Sequence, residues 1–140
     1  MNSRYQVMVE LYEGFLLYAR NWSNEWNMSN QIGLSPSHIL ILELLENQSL
    51  RPSSLAACLH ITTGGITGLT NKLVKDGLVD RKPLIEDRRA IGLYITSAGK
   101  AMLKKAREQK YQQMQKMFGV LTDSELIQLK QMILKLNRAD

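Results

Sequence analysis

Residues 62–99 read TTGGITGLTNKLVKDGLVDRKPLIEDRRAIGLYITSAG, and this stretch decides the fold. It begins with a helical pattern, and Gly77 stands where a left-handed residue would end that helix. Two short strand-like runs follow at residues 78–82 and 90–95, with the charged tripeptide 87–89 between them. We therefore expect a helix followed by a β-hairpin. The second run predicts a half-buried strand, because apolar residues alternate along it at Ile91, Leu93 and Ile95.

Residues 52–59, immediately upstream, complete the pattern of a helix-turn-helix. Two helices that cross at a fixed angle need small and apolar residues at set positions. Ala56 supplies the small residue, and apolar side chains fill the inward positions: Leu55, Leu59, Ile61, Ile66 and Leu69. Thr62 or Thr63 can cap the second helix. His60 occupies the turn, where glycine is often found, so the match is good but imperfect.

Helical patterns flank this central motif on both sides. The predicted helices span about residues 4–27, 36–46, 52–59, 62–75 and 96–118, with a last helix after residue 122. The caps we expect are Ser35 followed by Pro36, Thr96 or Ser97, and a capping box at 122–125. The predicted fold is mostly α with a small β-hairpin wing, in the order four helices, hairpin, two helices.

The second helix of the motif has an outward face of short or hydrogen-bonding residues. They are Thr62, Thr63, Gly64, Gly65, Thr67, Gly68, Asn71 and Lys72. Such a face suits a helix that enters the major groove of DNA. Each glycine costs about 1 kcal/mol against alanine in a helix interior, which favours close approach to phosphate or to a neighbouring helix. The alternative is that these short polar residues only solvate the helix.

From this face we predict the DNA contacts of the helix. Base contacts are assigned to Thr62, Thr63, Thr67 and Asn71, phosphate contact to Lys72, and close backbone approach to Gly64 and Gly68. Further contacts are expected from the basic hairpin.

The hairpin carries Arg81 and Lys82 on its stem and Arg88 and Arg89 at its tip. An arginine at such a tip can enter a narrow minor groove, where the negative potential is strongest. We assign that role to Arg89 and a phosphate contact to Arg88. Asp87 would repel phosphate, so our hypothesis is that it pairs with a nearby arginine and fixes its direction. The alternative is a solvated charged turn.

The composition fits one domain, or a small domain with helical extensions. The 140 residues are 44% hydrophobic, enough for a core, and the formal charge of +5 favours anionic partners. Residues 1–49 hold two basic and five acidic side chains, whereas residues 50–100 and 101–140 each hold eight basic and four acidic ones. The basic character therefore begins where the helix-turn-helix pattern begins.

Several classes of function are not expected. The single cysteine, Cys58, allows no internal disulfide framework or multi-cysteine zinc site, and we expect a buried, inert thiol. The two histidines, His38 and His60, lie in no metal-ligand or catalytic motif, so we predict no enzyme, no metal and no cofactor. With no secretory signature and no apolar run long enough for a bilayer, we expect a cytoplasmic protein without membrane contact.

These residues resemble the MarR family of winged-helix transcriptional regulators. The resemblance covers nearly the whole chain in element order and is most specific over residues 52–99. The matching positions are Leu69, Leu73, 75–79, Arg81, 87–91, Leu93, Ile95, Thr96 and Gly99. The family's Asp-x-Arg pair of the wing corresponds to Asp87 and Arg89. Gly68 departs from the pattern, because many relatives carry arginine there.

The resemblance implies a homodimer whose N- and C-terminal helices intertwine, with one winged helix-turn-helix per subunit on double-stranded DNA. Residues 1–32 would be a dimerisation helix and loop, residues 33–99 the DNA-binding domain, and residues 100–140 the C-terminal dimerisation helices. A two-fold dimer calls for a pseudo-palindromic operator with half-sites about 10 bp apart.

The resemblance also implies a sequence-specific regulator, a repressor by family habit, which a small aromatic or anionic effector can relieve. Tyr18, Trp22 and His38 are the candidate pocket residues, although their helical core spacing favours ordinary packing over a pocket. The rival function is a winged-helix protein–protein module that uses its basic wing on an acidic partner.

Overall fold

A computed structural model describes residues 3–138, which form six helices and one two-stranded antiparallel sheet. The elements are α1 (Ser3–Ser29), α2 (Pro36–Leu45), α3 (Pro52–Leu59), α4 (Thr63–Lys75), β1 (Val79–Pro83), β2 (Ile91–Ile95), α5 (Ser97–Phe118) and α6 (Asp123–Arg138). The mostly α fold with a hairpin wing is therefore the one predicted from the sequence.

The chain divides into two compact units. One unit is Glu25–Gln109 and contains the helix-turn-helix and the hairpin; we call it the winged unit. The other, which we call the outer unit, combines residues 3–24 with residues 110–138 of the described chain. The domain boundaries predicted after residues 32 and 99 stay predictions.

The core of the winged unit is built from the apolar positions that the helix-turn-helix requires. Leu55 and Ile66 are completely buried, Ala56 is buried beside them, and Leu59, Ile61 and Leu69 pack partly buried against the same core. His60 adopts a left-handed conformation with φ of 54° and caps the end of α3. His60 thus takes the place of the expected glycine in the left-handed region of backbone conformations, which histidine adopts more often than most residues do.

The predicted helix caps are present. Ser35 forms a capping box with His38 at the start of α2, and Thr62 accepts a bond of 3.1 Å from the Gly65 N–H at the start of α4. Thr96 accepts from the Gly99 N–H at 2.9 Å, and the Thr122–Glu125 box opens α6. These local bonds satisfy N–H groups that a helix leaves unpaired at its N-terminus, and they fix where each helix begins.

The burial pattern at the start of β2 corrects the simple alternation expected for this strand. Ile91 is 48% exposed, whereas Gly92 is buried. The reason is Leu84, which folds back from the hairpin loop so closely that a Cβ on Gly92 would lie 2.2 Å from Leu84 Cδ2. Leu93 keeps its predicted buried place and also pairs through its backbone with Leu50.

Cys58 is exposed, so the expectation of a buried thiol was wrong. The buried face of α3 is defined by Leu55, Ala56 and the half-buried Leu59. At about 100° per residue, Cys58 falls outside the arc that these residues share.

The outer unit leaves most of its apolar side chains exposed. In α1 only Trp26 is buried, and it belongs to the winged unit, while α6 has no buried residue. An apolar cavity of about 770 Å³ lies within this unit, lined by Leu11, Phe15, Tyr18, Phe118, Leu129 and Ile133 among others. The Tyr18 hydroxyl donates to the Met117 carbonyl at 2.7 Å across it.

Candidate nucleic-acid interface

The first two turns of α4 form an open surface of small residues. Thr63, Gly64, Thr67 and Gly68 are all exposed. A Cβ added to Gly68 would meet nothing within 4 Å, and one added to Gly64 would meet only the Thr62 hydroxyl at 4.0 Å. No neighbouring helix of the chain therefore requires glycine at these two positions. The unpaired N–H groups of the helix N-terminus open onto the same surface and favour an anion there.

The hydroxyl groups of this face are partly committed to the helix itself. Thr62 Oγ1 accepts the capping bond from Gly65, and Thr67 Oγ1 donates to the Thr63 carbonyl at 2.9 Å. Thr67 therefore presents lone pairs outward, which suits a donor such as a base amino group. Thr62 keeps its hydroxyl proton for an acceptor.

The second half of α4 is connected to the hairpin stem. Arg81 Nη2 donates to Thr70 Oγ1 at 3.3 Å and to Asn71 Oδ1. Lys72 pairs with Asp76 one turn later at 3.0 Å, on an exposed surface where such pairs are weak. Two residues predicted to contact DNA, Arg81 and Asn71, are thus brought into direct contact with each other.

Asp87 is the centre of the hairpin tip. Its Oδ1 accepts from the Arg89 backbone N–H at 3.1 Å and from Arg89 Nε at 3.2 Å, and its Oδ2 lies 3.6 Å from Arg51 Nη2. The Arg89 side chain is nonetheless 93% exposed. Asp87 is thus paired with an arginine as the sequence predicted, and its role in fixing the direction of Arg89 stays a prediction. Arg88 is exposed beside it.

Arg51 was missed by sequence reasoning. It precedes α3 and reaches the hairpin tip because the neighbouring Leu50 pairs with Leu93 of β2. That pairing joins residues 43 positions apart, so no local pattern could indicate it. The only signal was a basic residue just before the Pro52 that opens a helix.

The hairpin loop is fixed by side chains that the sequence did not single out. Leu84 is 2% exposed and packs over Gly92. Lys82 Nζ lies 4.5 Å from the centre of the Tyr94 ring, and the Tyr94 hydroxyl donates to the Pro83 carbonyl at 3.2 Å. The buried Leu84 anchors the tip, so Arg88 and Arg89 are held on an ordered loop.

The three candidate effector residues fall in different units. Tyr18 lines the apolar cavity of the outer unit and packs edge-on against Trp22, with ring centres 6.0 Å apart. Burial raises the pKa of Tyr18. His38 belongs to the winged unit, where its Nδ1 accepts from the Ser35 N–H at 3.0 Å. A common effector pocket stays a prediction.

The hydrogen bonds at His38 fit a neutral imidazole. Nδ1 lies 3.0 Å from the Ser35 backbone nitrogen, whose N–H it accepts, and 2.8 Å from Ser35 Oγ, and the neutral tautomer with its proton on Nε2 is compatible with both contacts. Burial lowers the pKa of His38 first, Lys72 on α4 lowers it further, and Asp76 on α4 opposes the shift.

A helix-turn-helix with exposed helix N-terminus and an arginine-tipped hairpin defines a winged-helix DNA-binding protein. The sequence profile of the MarR family matches residues 32–90. The chain is 30% identical to the uncharacterized HTH-type transcriptional regulator YpoP of Bacillus subtilis, over 99% of both chains. The chain therefore belongs to the MarR family of DNA-binding transcriptional regulators, which confirms the predicted family and the expectation that it is not an enzyme.

Two further comparisons are informative. The HTH-type transcriptional repressor YetL of Bacillus subtilis is 40% identical over 74 residues, which are 51% of this chain and 44% of YetL. A crystal structure of a mutant MarR from Escherichia coli complexed with operator DNA shares the fold, with a TM-score of 0.81 and 18% identity over 96% of this chain and 99% of that one. In the described part of the chain, no helix is long and apolar enough to cross a membrane.

Proposed function

We propose that the protein binds a pseudo-palindromic operator in a sequence-specific manner as a homodimer, with α4 in the major groove and the hairpin tip in the adjacent minor groove. One observation carries this proposal: the winged unit exposes both the glycine-rich start of α4 and the Arg89 side chain. Arg89 lies on a hairpin loop that the buried Leu84 anchors. The MarR–operator complex is a protein of the same fold on DNA.

The glycines are the strongest argument for close contact. Glycine destabilises a helix interior by about 1 kcal/mol against alanine, and within the described residues a Cβ on Gly68 would meet nothing within 4 Å and one on Gly64 only the Thr62 hydroxyl at 4.0 Å. Because glycine has no side chain, these two positions leave room for the backbone of double-stranded DNA to approach the helix closely. At base edges we assign Thr62, Thr63, Thr67 and Asn71, with Lys72, Lys82 and Arg88 at phosphates and Arg89 in the minor groove.

The exposed apolar side chains of the outer unit support a homodimer. Monomeric proteins rarely expose large contiguous apolar patches, and α6 alone exposes Ile127, Met132, Ile133, Leu134 and Leu136. A second copy of the same helices would cover this surface. Two-fold symmetry then presents two winged units to half-sites about 10 bp apart.

Repression is the sign of regulation that we propose, because YetL is a repressor and shares 40% identity over its matched segment. Relief by a small aromatic or anionic effector near Tyr18, Trp22 or His38 remains part of this proposal. A regulator of this kind acts in the cytoplasm, where it meets chromosomal DNA.

Salt dependence separates DNA binding from the rival function, a protein–protein module with an acidic partner. Binding of the full chain to the duplex upstream of its own gene, and to a scrambled duplex, is measured by fluorescence anisotropy at several salt concentrations. We expect tighter binding to the upstream duplex, with log affinity falling by about 0.9 for each phosphate contacted per unit of log salt. Absence of binding to any duplex at low salt would favour the rival.

A further inference from the structure

We propose that Arg81 is a positioning residue, which locks the hairpin to α4 and sets the orientation of the Asn71 amide, so that Asn71 reads DNA as a hydrogen-bond donor. The inference rests on the proposed function and refines it. It replaces a direct DNA contact of Arg81 with a contact inside the protein, and it names Asn71 as the group through which Arg81 acts.

The hydrogen bonds around Arg81 have a fixed direction. Thr70 is only 2% exposed, and its hydroxyl donates to the Ile66 carbonyl at 2.8 Å. Because that proton is committed to the helix, the Thr70 oxygen can only accept from Arg81, and a guanidinium can only donate. The chain of bonds from Arg81 through Thr70 to the backbone of α4 therefore has one possible polarity.

The same nitrogen of Arg81 fixes the orientation of the Asn71 side-chain amide. Arg81 Nη2 donates to Asn71 Oδ1 as well as to Thr70, so the carbonyl end of the amide faces the hairpin stem. The amide cannot be turned over without placing its NH₂ group against a guanidinium that has no acceptor. Asn71 is exposed, and its Nδ2 hydrogens are left for an outside acceptor.

This orientation limits what Asn71 can recognise. Bidentate recognition of adenine needs the amide oxygen and the amide nitrogen together. Arg81 occupies one of the two lone pairs of Oδ1 and keeps that oxygen on the side of the hairpin stem. The group left for DNA is Nδ2, which offers donors to an acceptor such as guanine O6 or N7, thymine O4 or a phosphate oxygen. Arg81 itself sits on β1 opposite the buried Leu93, so the bond also holds the hairpin against the helix.

The test compares Arg81→Ala, Arg81→Lys, Asn71→Ala and the Arg81→Ala/Asn71→Ala double variant on a selected operator and on a scrambled duplex, each over a salt series. For a positioning residue we expect Arg81→Ala to weaken operator binding about tenfold, with binding to scrambled DNA and the salt slope unchanged. Arg81→Lys should not restore operator binding, because lysine lacks the planar, forked guanidinium group of arginine. Arg81→Ala should add less than about twofold in the Asn71→Ala background.

Other results would overturn the inference. A salt slope reduced by about 0.9, equal weakening on both duplexes and rescue by lysine would make Arg81 a phosphate contact. Additive effects in the double variant would show that Arg81 does not act through Asn71. If Arg81→Ala fails to fold by circular dichroism, Asn71→Ala must by itself lower the operator preference, and an unchanged preference contradicts the proposal. If the wild-type chain binds no duplex, the proposed function fails as well.

Discussion

At the scale of single residues, we propose separate roles for Arg89 and Asp87. Asp87 engages the Arg89 backbone and side chain through one oxygen and Arg51 through the other. The carboxylate is thereby paired with two arginines. If the hairpin tip contacts DNA as proposed, a negative charge there is compatible with binding, because it is neutralised by these two cations.

Arg89→Ala should weaken operator binding strongly, by about tenfold or more, because a minor-groove arginine experiences the most negative potential of the duplex. The dimer should remain intact, since residue 89 belongs to the winged unit. Anisotropy titration with size-exclusion chromatography checks both points. Unchanged affinity would remove the hairpin tip from the mechanism.

Asp87→Ala should also weaken binding, although the substitution makes the tip more positive. The physical reason is the loss of order in Arg89, which costs conformational entropy on binding. Asp87→Asn is the matched control, because its oxygen can keep the bond to the Arg89 N–H. Binding by Asp87→Ala as tight as that of the wild type would disprove the positioning role.

His38 gives a pH dependence with a defined sign. Its pKa is lower in the folded protein than in the unfolded chain, so below about pH 6.5 the unfolded chain takes up a proton that the folded chain does not. Stability should therefore fall as the pH falls from 6.5 towards the folded pKa, and level off below it. The groups that face the imidazole include Lys72 and Asp76 on α4 and the backbone N–H and hydroxyl of Ser35.

Urea unfolding at pH 7.5 and 5.5 measures this effect. His38→Gln is the control, since glutamine at the same position can keep the capping box without titrating. We expect the variant to lose less stability than the wild type over this range. An equal loss in both proteins would show that other groups carry the pH dependence.

At the scale of elements, the proposed DNA-binding surface of α4 contains a glycine that lowers the stability of the helix. Gly68→Ala should raise the free energy of unfolding by about 1 kcal/mol, because no atom of the described residues lies within 4 Å of the added methyl group. The same substitution should weaken operator binding, because the methyl group stands where DNA approaches. Thermal unfolding and anisotropy on one preparation test both. Increased stability with unchanged affinity would place DNA away from this face.

The helices and their caps could be predicted because their signals are local. Ser35, Thr62, Thr96 and Thr122 each accept a capping bond from a backbone N–H three residues further along the chain. The interior of the hairpin could not be predicted in the same way. Leu84 reaches Gly92 across the turn, and Arg51 reaches Asp87 from a different element. Such contacts depend on tertiary placement, which a periodic pattern does not contain.

The exposure of Cys58 and Ile91 has the same origin. Both residues are apolar in character, and a pattern of apolar residues predicts burial for them. Cys58 is exposed because it lies outside the face of α3 that contacts the core. Near Ile91, the buried position is Gly92, over which Leu84 packs. For the candidate site, the sequence predicted α4 and the basic tip, while the Arg81–Asn71 bond required the structure.

At the scale of the whole molecule, the proposed homodimer places a second copy of the chain against the exposed apolar side chains of the outer unit. Leu11 is 67% exposed in the single copy and lies on the apolar surface of the outer unit. Leu11→Asp should leave the fold of the monomer largely intact, shift the protein from dimer to monomer, and abolish tight operator binding. Leu11→Met is the control. Sedimentation velocity reads out the assembly, and a dimer of unchanged stability in Leu11→Asp would exclude this surface as the interface.

The most direct test of the central claim is selection of bound duplexes from a random DNA pool by the full-length protein, followed by sequencing. A dimer with one winged unit per half-site predicts enrichment of an inverted repeat whose half-site centres are about 10 bp apart. Retention of the pool with no enriched sequence, or no retention at low salt, would contradict the claim that this protein is a sequence-specific dimeric regulator.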